Sequence, residues 1–389
     1  MRFHYILRGV FKPEGGVWSV CKKIRGQIRN LRDLGVDVTL HQYQEIWDSV
    51  SPDNQKDIPV FLRKNRVFLL YSKMKREYLV NRELSALIKR SGKEDVVYFR
   101  YPVPSFTLMN ILRRPRTCRV VLEYQSIEPP EWKVRGEWIL LIVDRIFGGL
   151  IRRHTDAIVG VTREITAYEL KRSGDPGKKH ITIGNGFDVR SVSPRRRPEF
   201  TPEVLSIICV SQVNRWHGID RIIEGIAAYQ GPSAIYLHIV GTGLEIPALK
   251  SSVEKYGLED RIFFHGYLSG HQLDELFDHC HIAAGSLGLH RIGLEEASIL
   301  KVREYCSRGI PFFISCADPD FPGDSVFSLT IPGDETPVSV EDLLQFASGI
   351  CAKPEHPQLM HDYALKNLDW SKKMKVLRDF LDELVNSGL

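Results

Sequence analysis

Five short apolar runs divide the second half of the chain: LSIICVS (205–211), IYLHIVG (235–241), IFFHG (262–266), IAAGS (282–286) and PFFIS (311–315). Runs this rich in Ile, Val, Leu and Phe read as strands buried on both faces. Such strands need helices above and below them, which means a parallel sheet joined by crossovers. The intervening stretches supply those helices at Ile219–Tyr229, Leu244–Tyr256, Gln272–His279 and Ser298–Arg308. The pattern predicts a doubly wound α/β domain.

The first half repeats the alternation less regularly. RFHYIL (2–7), Val36–Leu40, VVYF (96–99), RVVLEY (119–124) and AIVGV (157–161) read as strands. A glycine-bearing loop, RGVFKPEGG (8–16), leads into a helix over Val17–Leu34. Its apolar stripe of Val17, Val20, Ile24, Ile28 and Leu31 is expected to pack on the sheet. With 389 residues, the chain has room for two to three domains at about 150 residues each. The segment SVSPRRRPEFTP (191–202) has three prolines, three adjacent arginines and no apolar period. It sets the expected boundaries at 1–192 for the first domain, 193–202 for a linker and 203–370 for the second domain. Residues 371–389 form a closing amphipathic helix, expected to pack back toward the first domain.

Charge is distributed unevenly. Residues 1–200 hold 38 Lys and Arg against 22 Asp and Glu, whereas residues 201–389 hold 15 against 26. A basic half points to an anionic partner: phosphate groups, a membrane surface or nucleic acid. Nucleic acid, which would need aromatic platforms among the cations, is set aside because no recognisable RNA-binding signature is present. The basic face of the first helix, with Lys22, Lys23, Arg25, Arg29 and Arg32, could rest on anionic lipid. Arg113, Arg114, Arg116 and Arg119 add a second cluster. WILLIV (138–143), Phe147 and Leu150 could form an apolar foot beside them. WILLIV is far shorter than the roughly 20 residues of a spanning helix. The N-terminus lacks a signal peptide's apolar region, so a cytoplasmic protein, peripheral on the inner membrane face, is expected. The seven cysteines are too sparse for a disulfide framework and contain no Cys-x-x-Cys pair; they read as reduced core residues.

Parallel sheets bind ligands at the carboxyl ends of their strands, so the loops that follow strands were read first. GLEEASILKVREYCSRGIP (293–311) places Glu296 and Glu304 eight apart, on what reads as two helical turns. Ala297, Ser298 and Ile299 would begin that helix. Their amides and the helix dipole favour a phosphate, with Lys301 adding positive charge in the first turn.

This stretch resembles the paired-glutamate signature of glycosyltransferase family 4, a retaining family of GT-B fold. EGGV (14–17), TDAIVGVTREITAYEL (155–170), KKHITIGNGFD (178–188), VSQVNRWHGIDRIIEGI (210–226), HIVGTG (238–243), RIFFHGYLSG (261–270) and DWSKKM (369–374) agree in order and spacing. The resemblance implies two Rossmann-like domains facing a cleft, the first holding an acceptor and the second a nucleotide sugar. It implies that Glu304 binds the ribose hydroxyls and that Glu296 contacts the transferred sugar. It implies that backbone amides at Ser298, Ile299 and Leu300 hold the sugar and diphosphate. Gly15 and Gly16 would let the first loop approach the reacting groups, Gly241 and Gly243 would sit beside the nucleotide, and Tyr267 and Leu268 would line the base pocket.

The sequence departs from the family in two places. The usual arginine and lysine against the diphosphate are replaced by Gln212 and His217. A protonated His217, Arg215, Arg291 or Lys301 would have to carry that charge. The family's histidine after the strand RVVLEY is replaced by Glu123, Tyr124 and Gln125, and Glu123 is the candidate acceptor group. Asp318 and Asp320 form an Asp-x-Asp, read as a turn rather than a metal site, so neither metal nor cofactor is expected. The expected function is retaining transfer from a nucleotide sugar, UDP-linked on family grounds, to a glycan or lipid-linked acceptor in bacterial surface-polysaccharide synthesis. The alternative is a nucleotide-sugar epimerase of the same fold.

Overall fold

The computed structural model describes residues 1–7, 17–43, 66–323 and 325–387. The chain divides into two compact units. One comprises Met1–Lys12, Gln27–Ile183 and Met374–Leu389, and the other Pro13–Gly26 and Gly184–Lys373.

The first unit is built on β1 (Arg2–Leu7), the part of α1 (Val17–Asp33) from Gln27 on, β2 (Asp37–Gln42), α2 (Arg66–Arg90), β3 (Asp95–Arg100), α3 (Phe106–Arg113) and β4 (Arg119–Tyr124). A helical excursion follows: α4 (Glu128–Val134), α5 (Trp138–Val143), a π-helical turn at Asp144–Gly148, and α6 (Gly149–Arg153). Then come β5 (Ala157–Gly160), α7 (Arg163–Ser173) and β6 (Lys179–Thr182). All six strands are parallel, in the order β2-β1-β3-β4-β5-β6. Every residue of β4 is buried, as strand pairing on both edges and helix cover require. Ile24, Ile28 and Leu31 of α1 are buried, as the expected stripe demands. Lys23 is not on the basic face. It is buried, and its ammonium donates to Asn185 Oδ1 at 2.7 Å.

The second unit contains β7 (Val204–Val210), α8 (Ile219–Ala228), β8 (Ala234–Val240), α9 (Ile246–Tyr256), β9 (Ile262–Gly266) and α10 (His271–His279). It continues with β10 (Ile282–Ala284), α11 (Leu300–Arg308), β11 (Phe312–Ile314), β12 (Ser328–Thr330), α12 (Val340–Cys351) and α13 (His356–Asn367). Helix α14 (Trp370–Asn386) closes the chain, and its residues from Met374 on belong to the first unit. The sheet is again parallel, in the order β12-β11-β10-β7-β8-β9. Alternation along the strands builds two cores. Leu205, Ile207 and Cys209 of β7 pack with residues of α8, α9 and α12, while Ile208 packs with residues of α10, α11 and α13. Both faces of the sheet are therefore covered. The seven cysteines are all free and buried.

The proline-rich segment after residue 190 is anchored by a buried arginine. Arg195 donates to the carbonyls of Phe277 (3.0 Å), His281 (3.1 Å), Gly309 (3.3 Å) and Cys280. A guanidinium can satisfy several carbonyls at the ends of α10 and α11 at once, a use of arginine that composition alone does not reveal.

Candidate donor site at the switch point of the second sheet

Strand β7 lies between β10 and β8. The chain builds β8 and β9 on one side of it, then crosses to build β10, β11 and β12 on the other. Such a switch point opens a crevice outside the carboxyl ends of the two central strands. The loops that meet there are Ser211–Gly218 after β7 and Gly285–Ile299 after β10.

Main-chain hydrogen bonds lace these loops together. Ser211 N–H donates to the Val240 carbonyl (2.9 Å) and Val213 N–H to the Thr242 carbonyl (2.8 Å). Leu287 N–H donates to the His217 carbonyl (3.0 Å) and Gly288 N–H to that of Trp216 (3.2 Å). Gly241 and Gly243 make the first pairings possible. A Cβ on them would stand 1.8 Å from the Ser211 carbonyl oxygen and 1.9 Å from that of Val213. Gly241 also holds φ at +124°, which side chains rarely adopt.

The four candidate cations differ in how much charge they can offer. Arg291 is already neutralised. It donates to both Asp220 oxygens (3.0 and 2.7 Å), to Glu335 and to the Arg215 carbonyl (2.8 Å). It fixes the loop and brings no spare charge to a diphosphate. His217 accepts the Asn214 N–H at Nδ1 (3.1 Å), so its proton sits on Nε2. Burial, then the Lys301 ammonium, push the ring well below its ordinary pKa of 6.5. It is therefore a neutral donor near pH 7, not the expected imidazolium. Lys301 donates to Cys209 Sγ at 3.8 Å, and burial lowers its pKa. No carboxylate pairs with Lys301 or with the exposed Arg215 among the described residues. Lys301 and His217 thus form one neighbouring donor pair at the switch point.

The two glutamates stand differently from the expected helical pair. Helix α11 begins at Leu300, so Glu304 is helical and Glu296 is not. Ala297 N–H donates to the Ala317 carbonyl (2.9 Å), and Ala317 N–H donates to that of Glu295 (2.9 Å). These bonds draw residues 295–297 into a parallel bridge with Ala317. Ser298 and Ile299 precede the helix, whose start has no side-chain cap, so its first amides remain available to an anion. Glu304 accepts from Arg308 Nε at 3.0 Å, one turn further on.

Asn185 holds this loop in place. Its amide N–H donates to Ser298 Oγ (2.7 Å), and its Nδ2 donates to the Ser298 carbonyl (2.6 Å). Arg303 Nε donates to the Asn185 carbonyl at 3.2 Å. Sequence reading assigned Asn185 no role. Its signal is the flanking glycines, since a Cβ on Gly184 would stand 2.6 Å from Asp320 Oδ2 and one on Gly186 2.8 Å from the Trp370 ring. Asp318 and Asp320 are committed elsewhere. Arg303 donates to both, and Lys373 donates to Asp320, so the Asp-x-Asp closes a turn within an ion-pair network.

Gln212 and Tyr267 are exposed, and Leu268 packs against the core beneath β10. Gly15 and Gly16 lie outside the described residues. In the first unit Glu123 is 3% exposed, and its Oε1 accepts from Gln27 Nε2 at 3.0 Å. Placed within a fully paired central strand, it offers no accessible carboxylate to an acceptor.

Residues 195–317 match the family model described as glycosyl transferases group 1. No curated protein matched at the sequence level. Among solved structures, the sucrose-phosphate synthase from Thermosynechococcus elongatus is similar with a TM-score of 0.68, at 14% identity and with both chains covered completely. Anabaena HepE in complex with UDP and glucose gives 0.60 at 14% identity, covering 98% of this chain and 100% of that one. The lipopolysaccharide outer core galactosyltransferase WaaB gives 0.58 at 13% identity, covering 100% and 99%. These likenesses carry the GT-B fold, and the matched segment spans both switch-point loops. The chain has the GT-B fold, and its residues 195–317 match the glycosyl transferases group 1 family model.

Proposed function

We propose that the enzyme moves a sugar from a nucleotide sugar, UDP-linked, to a glycan or lipid-linked acceptor, with retention of configuration. The observation that carries this reading is the uncapped start of α11 at the switch point, with Lys301 and the neutral His217 beside it. A diphosphate placed there meets helix-end amides, an ammonium and an imidazole N–H. Glu304, one turn into the same helix, accepts hydrogen bonds from the ribose hydroxyls. Glu296 lies on the loop before the helix and contacts the transferred sugar.

The bond between the anomeric carbon and the diphosphate oxygen breaks through an oxocarbenium-like state, and the acceptor hydroxyl attacks on the same face. The departing phosphate oxygen takes the acceptor's proton. Lys301, His217 and the α11 amides stabilise the negative charge that develops on the leaving diphosphate, with no metal in the scheme. Anabaena HepE, which has been seen with UDP and glucose, supports a UDP-linked donor, and the fold shared with a lipopolysaccharide galactosyltransferase supports a surface-polysaccharide acceptor. The first unit takes the acceptor.

A panel of nucleotide sugars tests the donor class. A UDP-sugar that binds the native state raises the melting temperature as its concentration rises. Guanosine- or adenosine-linked sugars giving the larger shift would overturn the UDP assignment. Epimer formation from the donor alone would overturn transfer.

A further inference from the structure

The basic first unit carries an apolar surface that the transfer reading does not use. Helix α5 (Trp138–Val143) has the sequence WILLIV, yet none of its residues is buried. Trp138 is 59% exposed, Ile139 63% and Ile142 60%; Ile146 and Leu150 continue the surface at 57% and 41%. A contiguous apolar surface of this kind needs a partner.

The surface is held rigidly from beneath. Asp144 and Arg152 are buried and paired at 3.0 Å, Arg152 also pairs with buried Glu169, and Arg172 reaches Asp144 at 2.9 Å. Gly148 lets the chain close over this cluster, because a Cβ there would stand 2.2 Å from Asp144 Oδ1. The π-helical turn at Asp144–Gly148 thus directs its polar anchor inward and leaves Ile142, Ile146 and Leu150 outward.

A cavity of about 760 Å³ opens beside these side chains. Leu141, Ile146 and Leu150 supply apolar wall; Arg145, Arg153 and Lys171 supply charge. The three cations are exposed, and no carboxylate pairs with them among the described residues. Asp144 also lines the cavity, but it is buried and already paired with Arg152 and Arg172.

We propose that this face is where the protein docks on an anionic lipid bilayer: Trp138, Ile139, Ile142 and Ile146 enter the interface, and Arg145, Arg153 and Lys171 meet the headgroups. Charge selects this occupant. A second copy seated symmetrically on the same face would bring its arginines toward ours without a compensating carboxylate, whereas anionic headgroups neutralise them. A tryptophan at the edge of an aliphatic surface, with long basic side chains reaching outward, suits the boundary between acyl chains and water.

The test is flotation of the full chain with vesicles of phosphatidylcholine alone or with one-third phosphatidylglycerol. Neither donor nor acceptor is added, so its outcome is separate from that of the transfer reading. Binding is expected on the anionic vesicles, falling at least tenfold at 0.5 M salt. Ile139→Ser with Ile142→Ser should reduce binding at least tenfold, and Arg145→Gln with Arg153→Gln several-fold. These side chains are exposed, so the variants should keep the parent's melting temperature. Equal binding by parent and variants, or no binding to either vesicle, overturns the proposal. A concentration-dependent dimer in sedimentation, abolished by the isoleucine pair, would assign the face to self-association and overturn it as well.

Discussion

Asn185 and Ser298 are joined by two hydrogen bonds, 2.7 Å from the Asn185 N–H to the Ser298 hydroxyl and 2.6 Å from Asn185 Nδ2 to the Ser298 carbonyl. Both residues are buried, and Lys23 donates to the remaining amide oxygen. Asn185→Ala would leave a buried carbonyl and a buried ammonium without this partner, at about 1–3 kcal/mol each. Because Ser298 lies two residues before α11, the loop at the diphosphate should loosen. We expect nucleotide-sugar affinity to fall about tenfold with a smaller change in kcat. Unchanged affinity by calorimetry would show that Asn185 serves folding alone.

Arg152 supports a different part of the molecule. It is fully buried between Asp144 and Glu169, with the Tyr101 hydroxyl 2.8 Å from one of its nitrogens. Arg152→Ala would strand the buried Glu169 carboxylate and leave Asp144 with Arg172 as its ion-pair partner. The expected loss is about 3–5 kcal/mol in urea unfolding. A loss below about 1 kcal/mol would mean that water already reaches the cluster.

Glycine substitutions separate close approach from backbone strain. Gly241 and Gly257 both have positive φ, but a Cβ meets the Ser211 carbonyl oxygen at 1.8 Å in the first and nothing within 4 Å in the second. Gly257→Ala should lose about 1 kcal/mol. Gly241→Ala should lose about 2 kcal/mol or more and weaken donor binding, since it wedges the end of β8 away from the switch-point loop after β7. Equal losses in the two variants would contradict the packing role.

Stability should also fall as the solution is acidified. Burial, the largest cause in each case, lowers His41, His238 and His356 from 6.5 to about 4. His217 is lowered as well. Below about pH 6.5 the unfolded chain binds protons that these folded rings refuse, so unfolding gains ground as pH drops toward 4. Urea midpoints at pH 7.5 and 5.5 measure the effect, with the lower midpoint expected at 5.5. His356→Gln should flatten the slope; an unaltered slope would assign the dependence to other groups.

Much of the second sheet was legible because its strands are buried on both faces, so their apolar runs stand out against helical periodicity. IFFHG (262–266) matches β9 residue for residue. The start of α11 was not legible. ASIL has ordinary helical character, and only the Ala297–Ala317 bridge and the Asn185 contacts keep Ser298 out of the helix. Those partners lie 20 and 113 residues away. Charge was the hardest feature to read. Arg291 looks like a phosphate ligand until Asp220 and Glu335 are seen around it. Lys23 looks like a surface cation until it is found beneath the surface on Asn185. Glu123 could have been doubted from its strand alone, because a carboxylate in the middle of RVVLEY must find an internal partner, and it finds Gln27.

Calorimetric titration with UDP, combined with turnover of a UDP-sugar, tests the central claim that the α11 junction holds the donor. Glu304→Ala should weaken UDP binding about tenfold or more, because it removes the carboxylate proposed to accept from the ribose hydroxyls. Glu296→Ala should leave UDP affinity within about twofold and lower kcat instead. Full UDP affinity in Glu304→Ala, or equal affinity losses in both variants, would contradict this placement of the nucleotide.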